Sequence, residues 1–179
     1  EIFTMSSKPR ILVARAIFPD IVERLRQHFE VDDNPGDVIW SPAELAARLA
    51  DKDGAFTTGS QHIDAPLLAA APRLRIVANM AVGYNNFDVD AMTAAGVQGT
   101  NTPDVLTETT ADFGFALLMA TARRMTESEH YLRAGQWTKW SYDMFAGSDI
   151  HGSTLGIIGM GRIGQGIAKR GAHGFGMKV

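Results

Sequence analysis

Gly159-Met160-Gly161-Arg162-Ile163-Gly164 reads G-x-G-x-x-G. It follows the apolar run Leu155-Gly156-Ile157-Ile158, predicted as a strand, and precedes a helix-like stretch from Gln165 to Arg170. In that context the three glycines do different things. Gly159 permits a tight turn, Gly161 lets the backbone approach an anion, and Gly164 lets helix and strand pack closely. The unpaired N–H groups of the helix start, with the helix dipole, then face a dinucleotide pyrophosphate. Met160, Arg162 and Ile163 line the same turn. The alternatives are a plain turn in another α/β protein and, for Arg162, a solvated helix residue.

The rest of the chain supplies elements to carry such a turn. Residues 10–102 alternate short apolar runs with amphipathic stretches. Strands are predicted at Ile11-Leu12-Val13-Ala14, around Val31, at Gly54-Ala55-Phe56-Thr57, at Leu74 to Asn79 and from Val97 to Thr102. Helices are predicted between them: Asp20 to Phe29, a helix started by Ser41-Pro42 with Glu44 as a capping box, one capped by Asp64, and one capped by Asp88 and stopped by Gly96. This alternation points to an open parallel α/β sheet. Past residue 103 a long helix is predicted from Thr107 to Arg124, with Thr107 as its cap and both Arg123 and Arg124 in its last turn. Its centre, Phe113 to Ala120, is apolar on nearly every face, which predicts burial on more than one side. A polar stretch to Gly135 and an aromatic loop with Trp137, Trp140, Tyr142 and Phe145 follow.

Composition narrows the function class. A net charge of −3 over 179 residues gives no basic surface for nucleic acid. No apolar stretch approaches the roughly 18 residues of a membrane span, and no secretory leader is visible, so the expected setting is the cytoplasm. Zero cysteines exclude disulfides and thiolate metal sites. Asp64, Asp88, Asp90 and Asp104 lack metal-loop spacing, so no metal site is assigned. No Ser-His-Asp or Cys-His arrangement can be read. Glu1-Ile2-Phe3-Thr4 precede Met5, which is expected to be the natural start.

Three motifs together resemble the D-isomer-specific 2-hydroxyacid dehydrogenase family: Ala81-Val82-Gly83-Tyr84-Asn85-Asn86-Phe87-Asp88, Asn101 to Asp112 beginning Asn-Thr-Pro-Asp-Val-Leu, and Gly156 to Gly164. Their order and spacing match the family from about Ile11 to Val179. The look-alikes are glyoxylate and hydroxypyruvate reductases and 2-ketogluconate reductases, which generally favour NADPH. The resemblance implies a flavodoxin-like parallel-sheet substrate domain over residues 5–102 and the beginning of a Rossmann cofactor domain over 103–179. It implies reduction of a 2-keto acid to the D-2-hydroxy acid by hydride from NADPH or NADH, in a homodimer. Backbone amides of Val82 and Gly83 would hold the substrate carboxylate. Thr110, Gly159, Met160, Gly161, Arg162, Ile163 and Gly164 would hold the cofactor.

The family's catalytic histidine, its substrate-binding arginine and the acid that tunes the histidine have no counterpart here. His28, His62, His130, His151 and His173 all lie outside that context. The resemblance therefore implies the N-terminal part of such an enzyme, inactive alone, with the catalytic groups beyond Val179. The residue that separates NAD from NADP lies at the end of the next strand, predicted to begin at Met177-Lys178-Val179. A second reading, of another class, is a dinucleotide-sensing corepressor-type binding protein of the same fold. For the chain as it stands, the long apolar helix and the aromatic loop are expected to drive dimerisation.

Overall fold

Five short strands, each followed by a helix or turn, set the first unit, residues 1–103. The computed structural model describes residues 8–179, so the expected start at Met5 lies outside the described residues. The strands are β1 Arg10–Val13, β2 Glu30–Asp32, β3 Gly54–Thr57, β4 Ile76–Asn79 and β5 Gln98–Thr100. All pair in parallel in the order β2-β1-β3-β4-β5, the flavodoxin-like arrangement, whose order reverses beside β1. Parallel neighbours need crossovers, and four helices make them: α1 Pro19–Arg26, α2 Pro42–Leu49, α3 Ala65–Ala70 and α4 Val89–Ala94.

Local chemistry explains where those helices begin. Ser41 and Glu44 form a full capping box on α2, with proline at the helix start. The carboxylates of Asp64 and Asp88 accept the backbone N–H of Leu67 and of Ala91, satisfying α3 and α4. Gly96 ends α4 with φ 69°, a left-handed value that glycine adopts without cost.

Alternation along the strands divides the sheet's faces. Leu12, Ala55 and Val77 join Leu45, Leu49, Leu67, Leu68 and Met92 in the main core. On the other face Val13 is fully buried near Val22 of α1, whereas Ile76 is 40% exposed.

The second unit, residues 104–179, holds α5 Thr107–Ala122, α6 Met125–Arg133 and α7 Arg162–Lys169, followed by a π-helical turn Arg170–Gly174. Its core is small: Phe115, Ile150, Leu155 and Met177.

Three expectations are corrected here. Thr107 does not cap α5: Leu106 holds the cap position and no side chain bonds the helix start. Neither Arg123 nor Arg124 is in the last turn of α5: Arg123 is the residue that caps its end, and Arg124, with φ 53°, breaks the helix and begins α6. The centre of α5 is not buried on several sides, since only Ala111 and Phe115 are buried while Phe113 and Leu117 are exposed. An apolar helix face reports what favours burial, not whether a neighbour is present to cover it.

The predicted strand at 155–158 also fails to form. Only one parallel bridge, Thr154 to Lys178, appears there, with the Leu155 amide donating to the Lys178 carbonyl at 2.7 Å. A strand exists only where a neighbour takes its ladder, and residues 156–158 find none among the described residues. Ile158 is fully exposed in consequence. No helix among the described residues is long and apolar enough to cross a membrane.

Candidate substrate loop and dinucleotide turn

The loop after β4 lies beyond the carboxyl end of a parallel strand, where α/β sheets bind ligands. Its geometry comes from three buried polar side chains. Thr57 donates its hydroxyl to Asn79 Oδ1 at 3.1 Å. Asn79 Nδ2 donates to the Gly83 carbonyl at 3.1 Å and to Asn86 Oδ1 at 3.2 Å. Asn86 Nδ2 donates to the Gln61 carbonyl at 2.8 Å. Among the described residues no buried side-chain polar atom lacks a partner, so the network is complete and stiffens what it touches.

Two further bonds hold the loop from outside. Asn101 Nδ2 donates to the Val82 carbonyl at 2.8 Å, and the Thr102 amide donates to the Ala81 carbonyl at 2.9 Å. The carbonyls of Ala81, Val82 and Gly83 are thus all engaged. The amides of Val82 and Gly83 have no partner among the described residues. Successive free amides on an immobilised turn form an anion receptor. Asn79, Asn86, Thr57 and Asn101 are the site residues that the sequence reading missed. A signal was available: Asn79 follows Val77 at the strand period of two, which aims an amide into an apolar core.

The glycine-rich turn belongs to the second unit. Gly159 has φ 94°, a conformation closed to most side chains. A Cβ on Gly164 would stand 2.2 Å from the Gly159 carbonyl oxygen, so turn and helix touch there through backbone alone. A Cβ on Gly161 would meet nothing within 4 Å, leaving open space over the turn for an approaching group. Gly161 is the cap residue of α7 and supplies no side-chain bond, unlike Ser41, Asp64 and Asp88. The first intrahelical bond is Gln165 amide to Gly161 carbonyl, 2.9 Å. The amides of Arg162, Ile163 and Gly164 precede it and have no partner among the described residues, with the positive end of the helix dipole behind them.

The side of α7 away from the turn is fixed against α5. Gly166 packs on Ala111 and Gly114 on Ile167, where an added Cβ would come within 2.9 and 3.0 Å. Arg170 completes the junction, donating to Asp112 at 2.7 Å and to Glu108 at 2.8 Å. Those carboxylates hold the Arg170 guanidinium above its usual range, the Glu108 bond most strongly. Thr110 lies in the first turn of α5, its amide bonded to the Leu106 carbonyl. Arg162 Nε forms an ion pair with the Asp104 carboxylate, 2.7 Å away. Met160 is half exposed, and its carbonyl takes Gln165 Nε2.

The D-isomer specific 2-hydroxyacid dehydrogenase catalytic domain matches residues 11–156. The chain belongs to that family. The family's match covers β1 from its second residue, the other four strands, the loop after β4 and α5. A glyoxylate reductase of Thermococcus kodakarensis is 47% identical over 176 residues, covering 96% of this chain and 53% of the relative. A solved structure from Thermus thermophilus superposes with TM-score 0.86 at 40% identity, over 94% of this chain and 54% of that one. An NADPH-dependent glyoxylate/hydroxypyruvate reductase of Sinorhizobium meliloti, solved with NADP and malonate, gives TM-score 0.75 at 38% identity over 96% and 52%. The chain spans about half the length of each of these three proteins.

Proposed function

We propose that this chain supplies the substrate loop and the dinucleotide turn of an enzyme that reduces glyoxylate, hydroxypyruvate or 2-ketogluconate to the D-2-hydroxy acid. What supports the reading is that each unit carries a glycine turn with backbone amides unpartnered among the described residues, in a chain whose relatives are glyoxylate reductases. Val82 and Gly83 amides receive the keto acid's carboxylate. Gly159, Met160, Gly161, Arg162, Ile163 and Gly164 form the cradle for the pyrophosphate, and Thr110 stands at the start of the helix that supports it. Residues 5–102 serve as the substrate domain and 103–179 as the start of the cofactor domain. The bound dinucleotide supplies hydride. NADPH is favoured over NADH because the Sinorhizobium relative uses it.

Reduction of a carbonyl also needs a general acid and a cation to polarise the oxygen. None of His28, His62, His130, His151 or His173 is joined to the substrate loop or the turn by a hydrogen bond. We place those groups in the part of the enzyme that the relatives have and this chain does not span. The 179-residue chain alone then binds dinucleotide weakly and turns over nothing. The enzyme works in the cytoplasm as a homodimer, with the exposed Trp137, Trp140 and Tyr142 of the aromatic loop among the contacts.

Calorimetric titration with NADPH and NADH, beside a keto-acid assay, tests this. The expected result is measurable dinucleotide binding without turnover for the chain, and NADPH oxidation by a natural-length protein that contains it. A natural-length protein that oxidises neither NADPH nor NADH with any of the three acids overturns the reading.

A further inference from the structure

Asp104 opens the second unit with a left-handed backbone, φ 68°. Aspartate tolerates that conformation, but asparagine and glycine accept it at least as easily. Its carbonyl takes the Thr107 amide at 3.3 Å, which turns the chain into α5. The backbone duty therefore does not require a carboxylate. The carboxylate does something else: it meets Nε of Arg162 at 2.7 Å. Arg162 is the first residue of α7, directly after Gly161, and its own amide is one of the three free donors. It is the one cation of the glycine-rich turn.

The pair is built to be broken. Both side chains are about two-thirds exposed, 65% and 64%. Exposed ion pairs are weak and screened, whereas an arginine on phosphate oxygens makes stronger charge-assisted bonds. Arg170 offers the contrast: only 21% exposed, it is shared between Glu108 and Asp112 and locks α7 to α5. Among the described residues Asp104 is Arg162's sole carboxylate partner.

We infer that Asp104 is a displaceable internal counter-ion for the glycine-rich turn. It holds the Arg162 guanidinium while no dinucleotide is bound and yields it to the pyrophosphate when one arrives. Asp104 is a positioning residue: it tunes dinucleotide affinity through Arg162 and opposes binding by the strength of the pair. The inference rests on the proposed dinucleotide reading of the turn.

The test is titration of the 179-residue chain with NADPH and with NADH at low salt, for wild type, Asp104→Asn, Asp104→Gly, Arg162→Gln and the Asp104→Asn/Arg162→Gln double variant. Both Asp104 variants keep the left-handed turn available. They are expected to tighten binding roughly two- to fivefold, the range an exposed ion pair commands. Arg162→Gln weakens binding, and adding Asp104→Asn to it restores little. The Arg162 Nε–H resonance, followed by nitrogen-15 NMR, moves on NADPH addition in wild type. Its free-state position in Asp104→Asn is already displaced from wild type. Unchanged affinity in both Asp104 variants overturns the inference while leaving the dinucleotide reading standing. An equal gain with and without Arg162 also overturns it, since the effect is then simple charge repulsion. Absence of dinucleotide binding by every protein in the set removes the reading of the turn and the inference with it.

Discussion

Gly161 and Gly164 are the same residue type three positions apart, and the space around them differs completely. An alanine methyl at Gly161 enters open space; at Gly164 it would strike the Gly159 carbonyl oxygen at 2.2 Å. Backbone cannot rotate away as a side chain does, so the turn must open. Gly164→Ala is expected to destabilise the second unit by about 1–3 kcal/mol, the usual cost of overpacking, and to abolish dinucleotide binding. Gly161→Ala is expected to leave the thermal midpoint unchanged and weaken binding alone, because its methyl intrudes only where the ligand approaches. Paired thermal melts and NADPH titrations separate the two. Equal loss of stability in both variants would contradict the geometry. The motif in the sequence gives the glycines their separate roles; which atoms lie opposite each one is seen only in the structure.

At the scale of elements, a single carboxylate joins two loops at the carboxyl end of the sheet. Asp37, between β2 and α2, accepts Nε and Nη2 of Arg15 at 2.7 Å each and the Ala16 amide at 2.9 Å. The Arg15 bonds, then the Ala16 amide, hold its carboxyl well below the usual carboxylate range. A carboxyl whose folded pKa is depressed stabilises the fold above its unfolded value, about 3.9, and that contribution fades as pH falls through the folded value. Asp37→Asn keeps a residue suited to the local φ of 48° and removes the charge. The thermal midpoint of wild type should exceed the variant's by a constant margin above about pH 5, narrowing below about pH 4. A margin that holds down to about pH 2 would contradict this.

The same scale shows what could be read in advance. The starts of α2, α3 and α4 were legible because Ser41, Asp64 and Asp88 act on amides three residues away. The β1, β3 and β4 runs were legible because apolar residues of that length have few other uses. Leu155 to Ile158 has the same apolar character, yet a strand there depends on a partner, and Lys178 offers only one bridge. The Val82–Gly83 loop was readable as a glycine turn. Of the Thr57–Asn79–Asn86 network beneath it only Asn79 carried a signal, since Thr57 is brought to Asn79 by the β3–β4 register rather than by proximity in sequence, and Asn86 by the fold of the loop after β4.

For the whole molecule, the two units differ in how much they bury. Among the described residues the first has a cluster of 13 buried apolar side chains and the second a cluster of 4. Helix α6 buries none of its residues. Stability is distributed accordingly: amides of β1, β3 and β4 should exchange with solvent orders of magnitude more slowly than those of α6, with α5 and α7 between. Hydrogen exchange followed by mass spectrometry checks this, and uniform protection across the chain would contradict it.

The strand order also has a consequence in time. β1 is made before the other four strands and ends near the middle of the sheet, with β2 on one side and β3 on the other. Its partners Glu30 and Gly54 follow Arg10 and Ile11 by 20 and 43 residues, and no hairpin brings any pair together early. On the ribosome Leu12 and Val13, both fully buried at the end, therefore have at most the β2 ladder on one side until β3 has emerged. Contacts of such long range slow folding and leave apolar strands open to other chains meanwhile. The arrangement that places β1 between β2 and β3 makes the newborn chain, more than the finished one, the form that needs protection.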